Sequence, residues 1–173
     1  MTWETPAPPT PAQARLRFAD VFTMPTRTPS LNATNSGELR TRFEQGVMML
    51  HMKQYEFALT AFHQVLALEP KLPEAHVNMG FALLGLKQWR GARDFFESAI
   101  ELRRDQMNAY YGLAIALEGQ GDMPGAMGAM QTYLHRAAAD DPFRARAESA
   151  LWEWRTGTTR PESAKLEQAH GEQ

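Results

Sequence analysis

Asn78-Met79-Gly80-Phe81-Ala82-Leu83-Leu84-Gly85-Leu86-Lys87-Gln88-Trp89-Arg90-Gly91-Ala92-Arg93-Asp94-Phe95-Phe96 is written in this chain more than once, with substitutions. At an offset of 34 residues Gly46 falls on Gly80, and Ala58 falls on Ala92 and Ala126. Phe62 falls on Phe96 and Met130, Tyr55 on Trp89 and Met123, and Leu66 on Ile100 and Leu134. Three units follow: residues 39–72, 73–106 and 107–140. Each holds two apolar-periodic segments of about fourteen residues around a short polar break, the pattern of a helix, a turn and a second helix. A fixed offset kept by small and aromatic residues together is far more specific than any single short motif.

These units resemble tetratricopeptide repeats. The middle one carries Gly80 on its first helix, Trp89 at the turn, and Ala92, Phe96 and Ala99 on its second; the first has Gly46, Tyr55, Ala58, Phe62 and Pro70. The third departs most, with Ala114 in place of the first-helix glycine, Met130 in place of the second-helix aromatic and Tyr133 in place of a small residue. Gly121-Asp122 still marks its turn, and Ala126 keeps the close-packing site. The resemblance implies an all-α fold, a right-handed α-solenoid of three helical hairpins, and recognition along a concave groove rather than a particular partner.

Taken in order, the chain opens with a proline-rich leader, residues 1–35, that is not a repeat. Pro6, Pro8, Pro9, Pro11, Pro25 and Pro29 favour extended backbone there. One island, Arg15-Leu16-Arg17-Phe18-Ala19-Asp20-Val21-Phe22, has Leu16, Phe18 and Phe22 available for one face of a short helix, and reads either as part of a disordered arm or as a docking segment. The repeat domain spans 36–156, with Asn35 and Glu38 spaced as a capping box for its first helix. Later helices are expected over 55–68, 74–86, 89–102, 108–118 and 123–135. Pro73 suits an early helical position, and Asp122 suits the cap of the helix that contains Pro124. A capping helix over 141–156 is expected from Asp141, Pro142 and the spacing of Phe143, Ala147, Leu151 and Trp154. It covers the last repeat as an unpaired first helix. Residues 157–173 form a polar tail with no apolar period, expected to be disordered.

Composition narrows the function. The formal net charge of -2 argues against a phosphate-backbone binder, so no nucleic acid is expected as partner. With no cysteine, disulfides and thiolate metal sites are excluded. No apolar run approaches the roughly eighteen residues of a membrane span, and no secretory leader is visible. The default reading is therefore cytoplasmic; a periplasmic chain beginning after a removed leader would look the same. No phosphate loop, His-Glu-x-x-His or nucleophile elbow is present, so the chain reads as no enzyme, with no catalytic residue, no cofactor and no metal. Met48-Met49-Leu50-His51-Met52 could in principle hold Cu(I), but Met49 matches core positions Leu83 and Leu117, and methionine commonly fills gaps between helices.

What the resemblance implies about the site is more specific. In that family the inner wall comes mainly from the second, fifth, ninth and twelfth positions of each first helix. These are Arg40, Phe43, Val47 and Leu50, then Glu74, Val77, Phe81 and Leu84 with Asn78 beside them, then Asn108, Tyr111, Ile115 and Glu118. The capping helix adds Ala145, Ser149 and Trp152. The candidate peptide-binding groove is thus Phe43, Val47, Leu50, Val77, Asn78, Phe81, Leu84, Tyr111, Ile115 and Trp152. It is apolar, with aromatic anchors, and suits an apolar or amphipathic segment. The carboxylate-clamp members of the family need Lys and Asn on the first inner face and Lys and Arg on the third. Here those positions hold Phe43, Val47, Asn108 and Gly112, and only Asn78 survives, so that function is not expected. The expected role is non-catalytic protein–protein binding, as adaptor, scaffold or assembly factor. The alternatives are a permanently assembled subunit of a larger complex and, behind it, a metal-handling assembly chaperone. Phe81 is the expected central anchor, its truncation costing about 2 kcal/mol of binding with the fold retained.

Overall fold

A computed structural model of the chain describes residues 36–157. The leader, with its island at 15–22 and Asn35 of the expected capping box, and the tail from 158 lie outside the described residues. Seven helices follow in order among the described residues: α1 Ser36–His51, α2 Tyr55–Leu68, α3 Pro73–Gly85, α4 Trp89–Leu102, α5 Met107–Gly119, α6 Met123–Arg136 and α7 Arg144–Thr156. Helices α1–α2, α3–α4 and α5–α6 pair as antiparallel hairpins, and each hairpin packs on the next, α2 against α3 and α4 against α5. The first helices form their own layer, α1 beside α3 and α3 beside α5, while α7 packs on α6. The architecture is an all-α helical-repeat solenoid. Among the described residues no helix is long and apolar enough to cross a membrane.

The 34-residue offset is a packing rule. Side chains of α2 and α4 lie over glycines of the first helices, where no Cβ intervenes. Phe62 covers Gly46 and Phe96 covers Gly80; between hairpins, Tyr55 covers Gly85 and Trp89 covers Gly119. Ala58, Ala92 and Ala126 are fully buried at the close-packing position of α2, α4 and α6. The third hairpin restores its aromatic content by a different route. Met130 is buried where the earlier units have phenylalanine, and Tyr133 packs its ring edge-on to Tyr111, centroids 5.3 Å apart.

The three hairpin turns are equally regular. Each first helix ends in a Schellman motif, with Gln54 N–H donating to Met49 O at 2.8 Å, Gln88 N–H to Leu83 O at 2.9 Å and Asp122 N–H to Leu117 O at 3.0 Å. The motif needs a left-handed residue, and the three occupants are Lys53 (φ 58°), Lys87 (φ 57°) and Gly121 (φ 81°). Only the third unit uses the residue that adopts this conformation without steric cost. Gly121→Ala should therefore destabilise by about 1 kcal/mol, and Lys87→Gly should be neutral or mildly stabilising, both measurable by urea titration.

The capping helix starts later than its sequence signals suggest. Asp141 and Pro142 read as cap and first residue, yet the helix begins at Arg144. The Asp141 carboxylate is taken up elsewhere: Oδ1 accepts from Tyr133 Oη–H at 2.6 Å and from Phe143 N–H at 2.8 Å. Burial and the bond to Asp141 push the Tyr133 phenol well above its ordinary range, so it stays a donor at neutral pH. Arg144 Nη1 then donates to Leu134 O at 2.9 Å, a cation closing the carbonyl end of α6. Asp141→Ala should cost about 2 kcal/mol, because it leaves the buried Tyr133 hydroxyl without its acceptor. Tyr133→Phe combined with it should cost less than the sum of the single changes, and a double-mutant cycle checks this.

Candidate functional site

The layer of first helices carries the residues that template positions assign to the groove. Phe43 on α1, Phe81 on α3 and Tyr111 on α5 each meet an aromatic ring from another helix edge-on. Phe43 stands 5.7 Å from Phe62, Phe81 5.1 Å from Phe96, and Tyr111 contacts both Tyr133 and Phe143. These residues therefore lie on three neighbouring helices, and each is continuous with the core behind it.

All but two of the ten candidate residues are buried. Leu50, Val77, Asn78, Phe81, Leu84 and Ile115 are at most 4% exposed, Phe43 is 3% and Tyr111 2%. Val47 is half-buried, and Trp152 on α7 stands out at 42%. The central helix is the extreme case, since eleven of its thirteen residues are buried, which leaves no solvent-facing stripe. Its packing partners among the described residues are α1, α2, α4 and α5. Of the polar template positions, Arg40 is exposed and Asn108 and Glu118 are half-buried, whereas Glu74 is 1% exposed.

Glu74, in the first turn of α3, gives this face a buried carboxylate. Its Oε1 pairs with Arg103 Nη1, just past the end of α4. Its Oε2 is fully buried with no hydrogen-bond partner. The pair sits 29 residues apart in sequence, so only the closing of the α3–α4 hairpin reveals it. At the other end of the layer, Trp154 Nε1–H donates to Glu118 Oε1 at 3.0 Å and ties α7 to α5. Trp152, two residues from Trp154, lies on a different side of α7 and is not brought against α5 by that bond, and α7 packs chiefly on α6.

The Met48–Met52 cluster singled out in the sequence does not close into a site. Met49 packs against the core, whereas Met48 and Met52 are each 58% exposed and His51 is exposed. Among the described residues no three His, Asp or Glu side chains gather as a metal site. His76 Nε2–H donates to Pro70 O at 2.9 Å and its ring lies 5.7 Å from that of Phe95. It therefore packs within its own hairpin, against α4 and the linker that precedes α3.

Residues 49–106 match a tetratricopeptide repeat family model. Among solved structures, the chain is similar to the first such domain of Spaghetti (RPAP3) bound to an HSP90 peptide, with a TM-score of 0.64 and 19% identity over 70% of this chain and 96% of that one. It is also similar to SycD, the type III secretion translocator chaperone of Yersinia enterocolitica, with a TM-score of 0.68 and 16% identity over 74% and 90% of the two chains. The Arabidopsis OM64 domain gives a TM-score of 0.65 at 19% identity over 70% and 98%. At these identities the likeness is one of fold. No curated protein matches the sequence.

Proposed function

We propose, from the chain's membership of the tetratricopeptide repeat family, that this protein is a non-catalytic protein–protein interaction module. It holds an apolar or amphipathic peptide segment against the concave layer formed by α1, α3 and α5. One observation carries the reading: Phe43, Phe81 and Tyr111 come from three adjacent helices, with Val47, Leu50, Val77, Leu84 and Ile115 between them. Aromatic side chains bring large contact area at small entropic cost, which is what a peptide anchor site needs. The residues here differ from a carboxylate clamp. Apolar Phe43 and Val47 replace donors, so a free C-terminus finds no charge-assisted bonds on the first hairpin. The neighbours that hold chaperone peptides therefore support the groove and not that ligand.

A second reading, a permanently assembled subunit, is favoured by Phe57 at 67% and Met48 and Met52 at 58% exposure, all on the first hairpin. Exposed apolar side chains on one element suit a lasting interface. The test for the groove starts from peptides selected on the whole protein from a random-sequence display library. The best should be rich in apolar residues. Val47→Glu puts a charge beside Phe43 and Leu50 at a half-buried position, and should weaken them at least about tenfold with helicity unchanged. Equal affinity for Val47→Glu and wild type would move the site to the first hairpin's exposed surface.

A further inference from the structure

We propose that residues 15–22 of this same chain dock on the concave layer and compete there with an external partner. The proposal rests on that layer being the peptide site. Its first support is burial. Glu74, Val77, Asn78, Phe81 and Leu84 occupy the groove positions of α3 and are each at most 1% exposed. An open groove leaves such a stripe wet; a helix apolar and buried all round is one that is covered all round.

The second support is chemical. Glu74 is an ionisable residue with one oxygen on Arg103 and the other buried and unpartnered. A buried carboxylate oxygen is costly unless a donor reaches it. The leader island supplies such donors in Arg15 and Arg17, which alternate with Leu16 and Phe18. A guanidinium carries five N–H donors and its stem is apolar, so Arg-Leu-Arg-Phe matches an apolar wall with a carboxylate in the first turn of its middle helix. Phe22 lies four residues beyond Phe18, on the same face if the island is helical.

The third support is reach. Thirteen residues separate Phe22 from Ser36, where α1 begins. Extended, that linker spans about 45 Å. Three adjacent helices at ordinary spacing are crossed in about 20 Å. The island can therefore lie across the whole layer of its own chain without strain. Pro25 and Pro29 within the linker favour such an extended path.

The consequence is a groove with a built-in competitor. An external peptide meets an effective concentration of leader set by the linker, so its apparent affinity is lowered by the occupied fraction. The experiment is hydrogen exchange on the full chain, read by mass spectrometry at two protein concentrations about a hundredfold apart. Amides in 15–22 should exchange at least about tenfold more slowly than in a synthetic peptide of residues 13–24, equally at both concentrations. Phe18→Asp with Phe22→Asp should abolish that protection and tighten the display-selected peptide, with circular dichroism unchanged. Exchange as fast as in the free peptide overturns the proposal. Protection that falls on dilution also overturns it, since the occupant is then the leader of a second copy. If the leader exchanges freely while Val47→Glu still weakens the selected peptide, self-occupancy fails and the groove stands.

Discussion

Gly80→Leu should lower stability by about 3 kcal/mol and the melting temperature by about 10 °C. A Cβ added at Gly80 would meet Phe96 Cε1 and Cζ at 2.7 Å, closer than carbon atoms approach. Overpacking is often relieved when the neighbour swings aside. Phe96 has no such freedom, because a Cβ at Gly112 of the next hairpin would also lie well inside contact distance of the same ring. The ring is wedged between two glycines on successive first helices. Moving it off one drives it into the backbone of the other. Relief must come from separating α3, α4 and α5, which breaks the contact between the second and third hairpins. In a solenoid, stability resides largely in such interfaces, so the damage spreads along the array. Gly128 supplies the control. It lies within α6 with open space around its Cβ position, and Gly128→Ala should stabilise by about 0.5–1 kcal/mol. Thermal melts followed by circular dichroism check both. If Gly80→Leu melts within about 2 °C of wild type, the packing of Phe96 described above is wrong.

The wedge also shows how far the sequence could be read. The 34-residue offset placed α2 to α6 to within a residue of their observed ends, because a repeat lets three weak signals report on one geometry. Gly46, Gly80 and their phenylalanines were legible for the same reason. Gly112 was not: it stands two residues before Ala114, the position aligned with Gly80, and its role is to receive a ring from the previous repeat. A within-repeat template is blind to that demand. The late start of α7 was missed because Asp141 suits two partners equally well, a helix end and a phenol, and only the fold brings Tyr133 within 2.6 Å. The left-handed lysines escaped too, since Lys53 and Lys87 carry no local sign of positive φ until they are aligned with Gly121. Groove residues posed a different difficulty. Template positions tell which side of a helix a residue occupies, but burial depends on everything that packs there. Glu74, a charged residue at a groove position in the first turn of α3, is 1% exposed in the structure.

Phe81→Ala should destabilise the protein by about 3–5 kcal/mol, more than an anchor on an open wall could cost. The side chain is 1% exposed and its ring meets Phe96 edge-on at 5.1 Å. Truncation removes that contact and leaves a cavity beside the wedged Phe96, at the centre of the array. The expectation that the fold tolerates this loss is therefore revised: alanine probes core and groove together and cannot separate them. Phe81→Leu separates them. Leucine keeps most of the apolar volume, so its cost to folding should be about 1–2 kcal/mol, leaving the native state dominant. A ligand that uses the ring as a central anchor loses the flat aromatic surface all the same. The display-selected peptide should then bind Phe81→Leu at least about tenfold more weakly, with equal helicity in the two proteins. Titration monitored by tryptophan emission supplies the readout, because Trp152 is 42% exposed and on the helix tied to α5 by Trp154. A lower melting temperature with unchanged affinity would assign Phe81 to the core alone. The anchors would then be sought at the less buried positions, Val47 and Trp152.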